Sequence, residues 1–142
     1  MSATAEGVSR LRVRYSETDQ MGVVYHANYL VWCEIGRTEL MRHLGFAYAD
    51  LERSGIRLAV TEANVRYIRA ARYDDAIRVV ARLEAAQSRS VTFTYHIMRE
   101  DEDPPVLLAT ASTRLIAIDG TGATRRLPDD LVRSFREIAA PA

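Results

Sequence analysis

The chain is predicted to fold as one α+β domain, with a curved antiparallel sheet of about five strands wrapped around one long buried helix. Three observations predict it. The 142 residues suffice for one domain and one core. A helical segment in the first third is apolar on nearly every side in its first half, and a helix of that kind must be buried all round. Beyond it, most segments alternate apolar and polar residues with the period of strands. Strands that follow one another after a helix make an antiparallel sheet, and a sheet has to curl to cover a helix.

Residues 10–15 alternate, with Leu11, Val13 and Tyr15 on one side, and read as a first strand. The polar turn Ser16-Glu17-Thr18-Asp19-Gln20 follows, with Gly22 just beyond it. A helix is expected over residues 28–44, with Asn28 as N-cap and Gly45 as its stop. Tyr29, Leu30, Val31, Trp32, Cys33 and Ile35 make up its apolar half, and Arg37, Glu39 and Arg42 restore polarity. Gly36 inside this helix costs about 1 kcal/mol relative to alanine and implies close approach by another backbone. Residues 48–54 form a shorter helical piece. Strands are expected at 58–68, 77–86, 91–98 and 106–118, joined as hairpins or a meander, with an acidic, proline-bearing connection at 101–105. Pro128 opens a closing amphipathic helix that ends near Ile138. This order is that of the hotdog architecture. No linker or repeat divides the chain, so a single domain over 1–142, with its core at about 9–139, is expected.

Composition removes several classes of function. The 19 basic and 19 acidic residues balance, so the broad basic face that nucleic acid requires is not expected. No apolar run approaches the ~20 residues of a membrane span. Residues 1–7 lack the charged and apolar regions of a signal peptide. A cytoplasmic protein is expected. Cys33 is the only cysteine, so there is neither an internal disulfide nor a cysteine metal cluster. The chain carries no glycine-rich phosphate loop, metal-ligand spacing or Gly-x-Ser-x-Gly elbow, so the expected chemistry uses no cofactor, no metal and no serine nucleophile. Every basic residue is arginine. A coding bias accounts for that without function; the functional alternative is arginine's planar grip on phosphate.

The densest group of reactive side chains lies between the first strand and the helix, in residues 15–29. A helix N-terminus presents unpaired N–H groups and about half a positive charge. It binds an anion or polarises a carbonyl whose oxygen gains charge. A carboxylate held just before it can attack that carbonyl or activate water. Carboxylate, glycine turn and helix start together point to acyl transfer.

On these residues the chain resembles the hotdog thioesterases of the YbgC and 4-hydroxybenzoyl-CoA thioesterase group. The matching pattern is Asp19, Gly22 and Tyr25-His26-Ala27-Asn28-Tyr29, followed by Arg37-Thr38-Glu39 and Gly45. Ala70-Ala71-Arg72-Tyr73-Asp74-Asp75 is similar to that family's turn between its second and third strands, with Ala70 standing where relatives usually carry proline. The likeness covers residues 9–139. It implies an enzyme that hydrolyses acyl-CoA to acid and CoA, with an acyl carrier protein as the alternative carrier of the thioester. It implies that Asp19 is catalytic, as nucleophile through an acyl-enzyme anhydride or as general base. The Tyr25 N–H would receive the thioester oxygen, and His26 would orient substrate or assist proton transfer. Gly22 and Glu34 would support substrate, and Arg89 with Ser90 would touch the CoA phosphates. Active sites of this group form between subunits, which implies a homodimer or homotetramer.

Each residue also has a plain structural reading. Asp19 can serve its turn alone, His26 can bond a backbone carbonyl, and Tyr25 and Tyr29 can simply pack. Glu34, in apolar surroundings, is either paired with Arg37 or functional. Cys33 reads as inert. Trp32, Phe46, Tyr48 and Tyr67 are candidates for an aromatic or aliphatic acyl slot. Two other functions fit the same fold: a hydratase or dehydratase, whose histidine-then-acid pattern is missing, and an acyl-binding module without turnover.

Overall fold

A computed structural model describes residues 6–45 and 48–139. Five strands, β1 (Glu6–Arg12), β2 (Arg57–Tyr67), β3 (Ala76–Ala86), β4 (Ser90–Arg99) and β5 (Val106–Ile118), accompany α1 (Asn28–His43), α2 (Tyr48–Arg53) and α3 (Asp129–Ile138). The strands form one antiparallel sheet in the order β1-β3-β4-β5-β2. Bulges at Val60/Glu62, Leu83/Ala85 and Ile97/Met98 bend it, and α1 lies in the concavity. This is the expected hotdog architecture. Strand alternation explains the core: Ile77, Val79, Ala81 and Leu83 of β3 are wholly buried, while Arg82 and Glu84 face solvent.

Three local expectations are corrected. The first strand ends at Arg12 rather than Tyr15, because the Glu17 side chain accepts the Arg14 N–H at 2.8 Å and draws residues Tyr15–Glu17 into a 3-10 turn. The 70–75 segment does not join neighbouring strands. β2 pairs with β5 at one edge of the sheet and β3 pairs with β1 near the other, so this segment is a crossover. It is pinned by Val24 N–H to the Ala71 carbonyl (2.8 Å) and Asp74 N–H to the Val13 carbonyl (3.0 Å). Finally, α1 is not buried all round. Tyr29, Trp32, Cys33, Gly36, Arg37, Leu40 and Met41 form one buried stripe. Leu30, Val31 and Ile35 are 37%, 46% and 40% exposed, because the sheet of one chain covers a single side of the helix.

Gly36 is required by close packing, though against side chains rather than backbone. A Cβ there would lie 2.8 Å from Val79 Cγ1 and 3.4 Å from Ala81 Cβ. Val79 is stiff and fully buried, so it cannot swing away. Gly36→Ala is expected to be destabilising: overpacking costs about 1–3 kcal/mol, more than the helix-propensity gain of about 1 kcal/mol. Urea unfolding measures this, and the cost should shrink in a Val79→Ala background.

The same buried stripe holds a small polar group. Arg37 is 8% exposed, and the Tyr95 hydroxyl and Thr113 Oγ1 share a hydrogen bond of 2.6 Å. Burial pushes the Cys33 thiol up to about 12, a rise that the Arg37 charge only moderates. The thiol therefore stays protonated in the native state, and the stability it contributes is fully present below the ordinary thiol pKa and lost as pH climbs toward 12. Cys33 should be unreactive to a disulfide reagent at pH 8 until denaturant is added; rapid native labelling would contradict its burial.

Candidate active site

Asp19 sits in a tight turn between the 3-10 segment and α1. Its N–H donates to the Val23 carbonyl at 2.9 Å, and Gly22 N–H donates back to the Asp19 carbonyl at 3.0 Å. Gly22 adopts φ +79°, and a Cβ there would meet no atom within 4 Å, so conformation rather than space demands glycine. Asp19 Oδ1 accepts the Met21 N–H at 2.8 Å. Its other oxygen, Oδ2, has no partner among the described residues, and the side chain is half-buried. The turn thus uses one carboxylate oxygen and leaves one open.

The start of α1 corrects the assignment of the oxyanion donor. The Tyr25 N–H donates to the Glu17 carbonyl at 2.8 Å and cannot receive another oxygen. The next two N–H groups, of His26 and Ala27, have no partner among the described residues. They are open because the helix begins without a side-chain cap: Ala27 is already αR, and Asn28, expected as the N-cap, lies inside the helix. Asn28 Nδ2 instead donates to the Glu17 carbonyl at 2.8 Å.

Aromatic residues wall this end of the helix. The Tyr67 hydroxyl donates to the His26 carbonyl at 2.8 Å, and the Tyr29 hydroxyl accepts the Ala71 N–H at 3.0 Å. The His26 ring lies 4.5 Å from Tyr25 and 6.3 Å, edge-on, from Tyr67. Its imidazole is exposed and bonds no carbonyl among the described residues, so the purely structural reading of His26 finds no support here. Burial raises the Tyr29 and Tyr67 hydroxyl pKa values, keeping both neutral. His26, Tyr29, Tyr67 and Ile68, with Val23 and Arg69, border a recess of about 260 Å³. Phe46 and the Tyr48 side chain lie outside the described residues.

The remaining expected site residues are not gathered here. Glu34 is exposed rather than set in apolar surroundings, and makes no ion pair among the described residues. With Arg37, Thr38, Leu51 and Ile56 it borders a separate cleft of about 370 Å³. Arg89 and Ser90 lie at the β3–β4 turn. The other end of β3 begins at Ala76, directly after Asp75, whose carbonyl accepts the Val13 N–H at 3.0 Å. Ser90 is 3% exposed; its hydroxyl donates to Gln87 Oε1 at 3.3 Å and accepts from Arg114 Nη2 at 3.4 Å. Glu17, which nothing in the sequence singles out, is buried and bonded through both its carboxylate and its carbonyl. No spacing rule connects position 17 to Trp32, 15 residues on, whose Nε1–H it accepts. Among the described residues no group of three or more His, Cys, Asp or Glu is placed to hold a metal ion, and no helix is long and apolar enough to cross a membrane.

Residues 13–135, which include every element of this site, match the thioesterase-like superfamily. The chain belongs to that family. Among relatives of this thioesterase, the acyl-CoA thioester hydrolase YbgC of Escherichia coli is 31% identical over 128 residues, 89% of this chain and 93% of the relative. YneP of Bacillus subtilis is 45% identical over 87 residues, 61% of this chain and less than two thirds of its own length, 63%. The DHNA-CoA thioesterase of Staphylococcus aureus superposes with a TM-score of 0.88 at 34% identity, covering 94% of this chain and 90% of that one. The family fits the enzyme class expected from the turn and helix start.

Proposed function

We propose that this thioesterase hydrolyses an acyl-CoA, with Asp19 as the reacting carboxylate and the His26 and Ala27 N–H groups as the oxyanion site. One observation carries the reading: an open carboxylate oxygen, Oδ2 of Asp19, shares a short segment with two unpartnered N–H groups at a helix start. The acyl carbonyl oxygen, gaining negative charge as the carbon becomes tetrahedral, is received by those donors. Two routes use the same atoms. As general base, Oδ2 takes a proton from water, the hydroxide adds to the carbonyl carbon, and the C–S bond breaks as the proton passes to the departing thiolate. As nucleophile, Oδ2 adds directly, thiolate leaves, and water then cleaves the mixed anhydride. YbgC and the S. aureus enzyme, named for acyl-CoA and DHNA-CoA thioesters, support the substrate class. Neither the hydratase nor the binding-module reading gains an observation that favours it.

The assembly belongs to the same proposal. Among the described residues, a single chain leaves Leu30, Val31 and Ile35 uncovered and pairs β2 on one side only. A second copy covering the α1 face and the β2 edge would bury these groups and bring an Arg89 towards the CoA phosphates. Sedimentation should give at least twice the 16.0 kDa chain mass; a monomer that turns over acyl-CoA would remove the intersubunit site. The proposed protein is one domain over residues 1–142, located in the cytoplasm with its CoA substrate.

Thiol release from short, long, branched and aromatic acyl-CoAs tests the reaction. CoA release that disappears in Asp19→Asn is expected. Failure on every CoA thioester, followed by turnover of an acyl carrier protein thioester, would reassign the carrier. Failure on both would remove the enzyme reading.

A further inference from the structure

We propose that Glu17 is a positioning residue of this site, locking the Asp19 turn to the start of α1 through its carboxylate and its carbonyl together; this rests on the Asp19 reading above. Its side chain is 7% exposed, where a carboxylate is costly unless both oxygens are bonded. Oε1 accepts the Arg14 N–H at 2.8 Å, with Arg14 Nε at 3.6 Å, and Oε2 accepts Trp32 Nε1–H at 2.9 Å. Its carbonyl accepts both the Tyr25 N–H and Asn28 Nδ2, each at 2.8 Å.

These donors come from three places. Arg14 lies before the turn, Tyr25 and Asn28 lie at the helix start, and Trp32 is a fully buried residue of α1 packed on Tyr29 at 4.9 Å. Asp19 stands two residues after Glu17, and His26 follows directly on Tyr25. The carboxylate anchors the approach to the turn in the core, and the carbonyl fixes where the His26 and Ala27 N–H groups lie. The spacing between Asp19 Oδ2 and the oxyanion site is therefore set by residue 17. Both side-chain partners are pure donors, so the position needs two acceptor oxygens. Glutamine has one, and its amide N–H groups would face either Trp32 Nε1–H or the Arg14 N–H.

The test measures kcat, KM and thermal midpoint on the best acyl-CoA for Glu17→Gln, Glu17→Gln/Trp32→Phe, Asn28→Ala and Asp19→Asn. A displaced reacting group costs up to about a hundredfold, so Glu17→Gln is expected to lower kcat about tenfold to a hundredfold with KM within about threefold. Trp32→Phe removes the donor that opposes the glutamine amide and is expected to return part of that loss. Asn28→Ala, which cuts one tie to the carbonyl, is expected to lower kcat several-fold at unchanged KM. A folded Glu17→Gln protein with wild-type kcat, or one whose loss Trp32→Phe leaves untouched, would overturn the inference while an inactive Asp19→Asn kept the site itself intact. Wild-type turnover by Asp19→Asn would instead overturn the proposed site. Should Glu17→Gln not fold, Asn28→Ala decides: wild-type kcat overturns the inference, and a loss in kcat at constant KM supports it.

Discussion

Asp19→Asn is expected to lower kcat by about three orders of magnitude while leaving KM and the thermal midpoint close to wild type. The substitution is informative because it separates the two jobs of the side chain. The turn uses Oδ1 as an acceptor for the Met21 N–H, and an asparagine amide oxygen accepts the same bond. The proposed chemistry uses Oδ2, which has no partner among the described residues. An amide nitrogen there can neither add to a carbonyl carbon nor take a proton from water. General-base assistance alone is worth about a hundredfold to ten-thousandfold, and each decade corresponds to about 1.4 kcal/mol of transition-state stabilisation. Thiol release by wild type and variant, with circular dichroism on both, makes the measurement. A variant within tenfold of wild type would show that Asp19 only shapes its turn.

Trp32→Ala is expected to be the most destabilising single truncation near the site, by about 3–5 kcal/mol. The indole has no solvent exposure and lies between the helix and the sheet, so alanine leaves a void that the surrounding strands cannot close. Its loss also strips Glu17 Oε2 of its donor, adding the cost of a buried oxygen left unsatisfied. Trp32→Phe keeps most of the ring volume and should cost markedly less. Urea denaturation of the two variants separates packing from hydrogen bonding. Equal losses would mean that the Nε1–H bond, rather than the ring, carries the stability.

The period of the side chains made most of the architecture readable in advance. Alternation at Ile77, Val79, Ala81 and Leu83 marks a half-buried strand wherever it pairs, and Pro128 opens a helix for reasons internal to its own ring. Pairing order is different in kind. Nothing local tells β2 to bond β5 across the sheet instead of the strand that follows it, because register depends on which strands the bends of the sheet bring together. The helix shows the same limit. Leu30, Val31 and Ile35 are as apolar as Trp32 and Cys33, and composition cannot say which of them the same chain will cover.

For the site, the sequence by itself determined the ingredients: a carboxylate in a polar turn, a glycine after it and a helix start, all within residues 15–29, where local geometry keeps them together. Only the tertiary structure decided which groups remain open. The Tyr25 N–H is taken by the Glu17 carbonyl, leaving those of His26 and Ala27. Glu17 became visible only when Trp32 and Arg14 closed around it, and Glu34 proved to stand exposed, without an ion pair among the described residues. The physical reason is common to all three. A residue's type says what it can donate or accept, whereas its occupancy depends on partners that the fold brings from elsewhere in the chain.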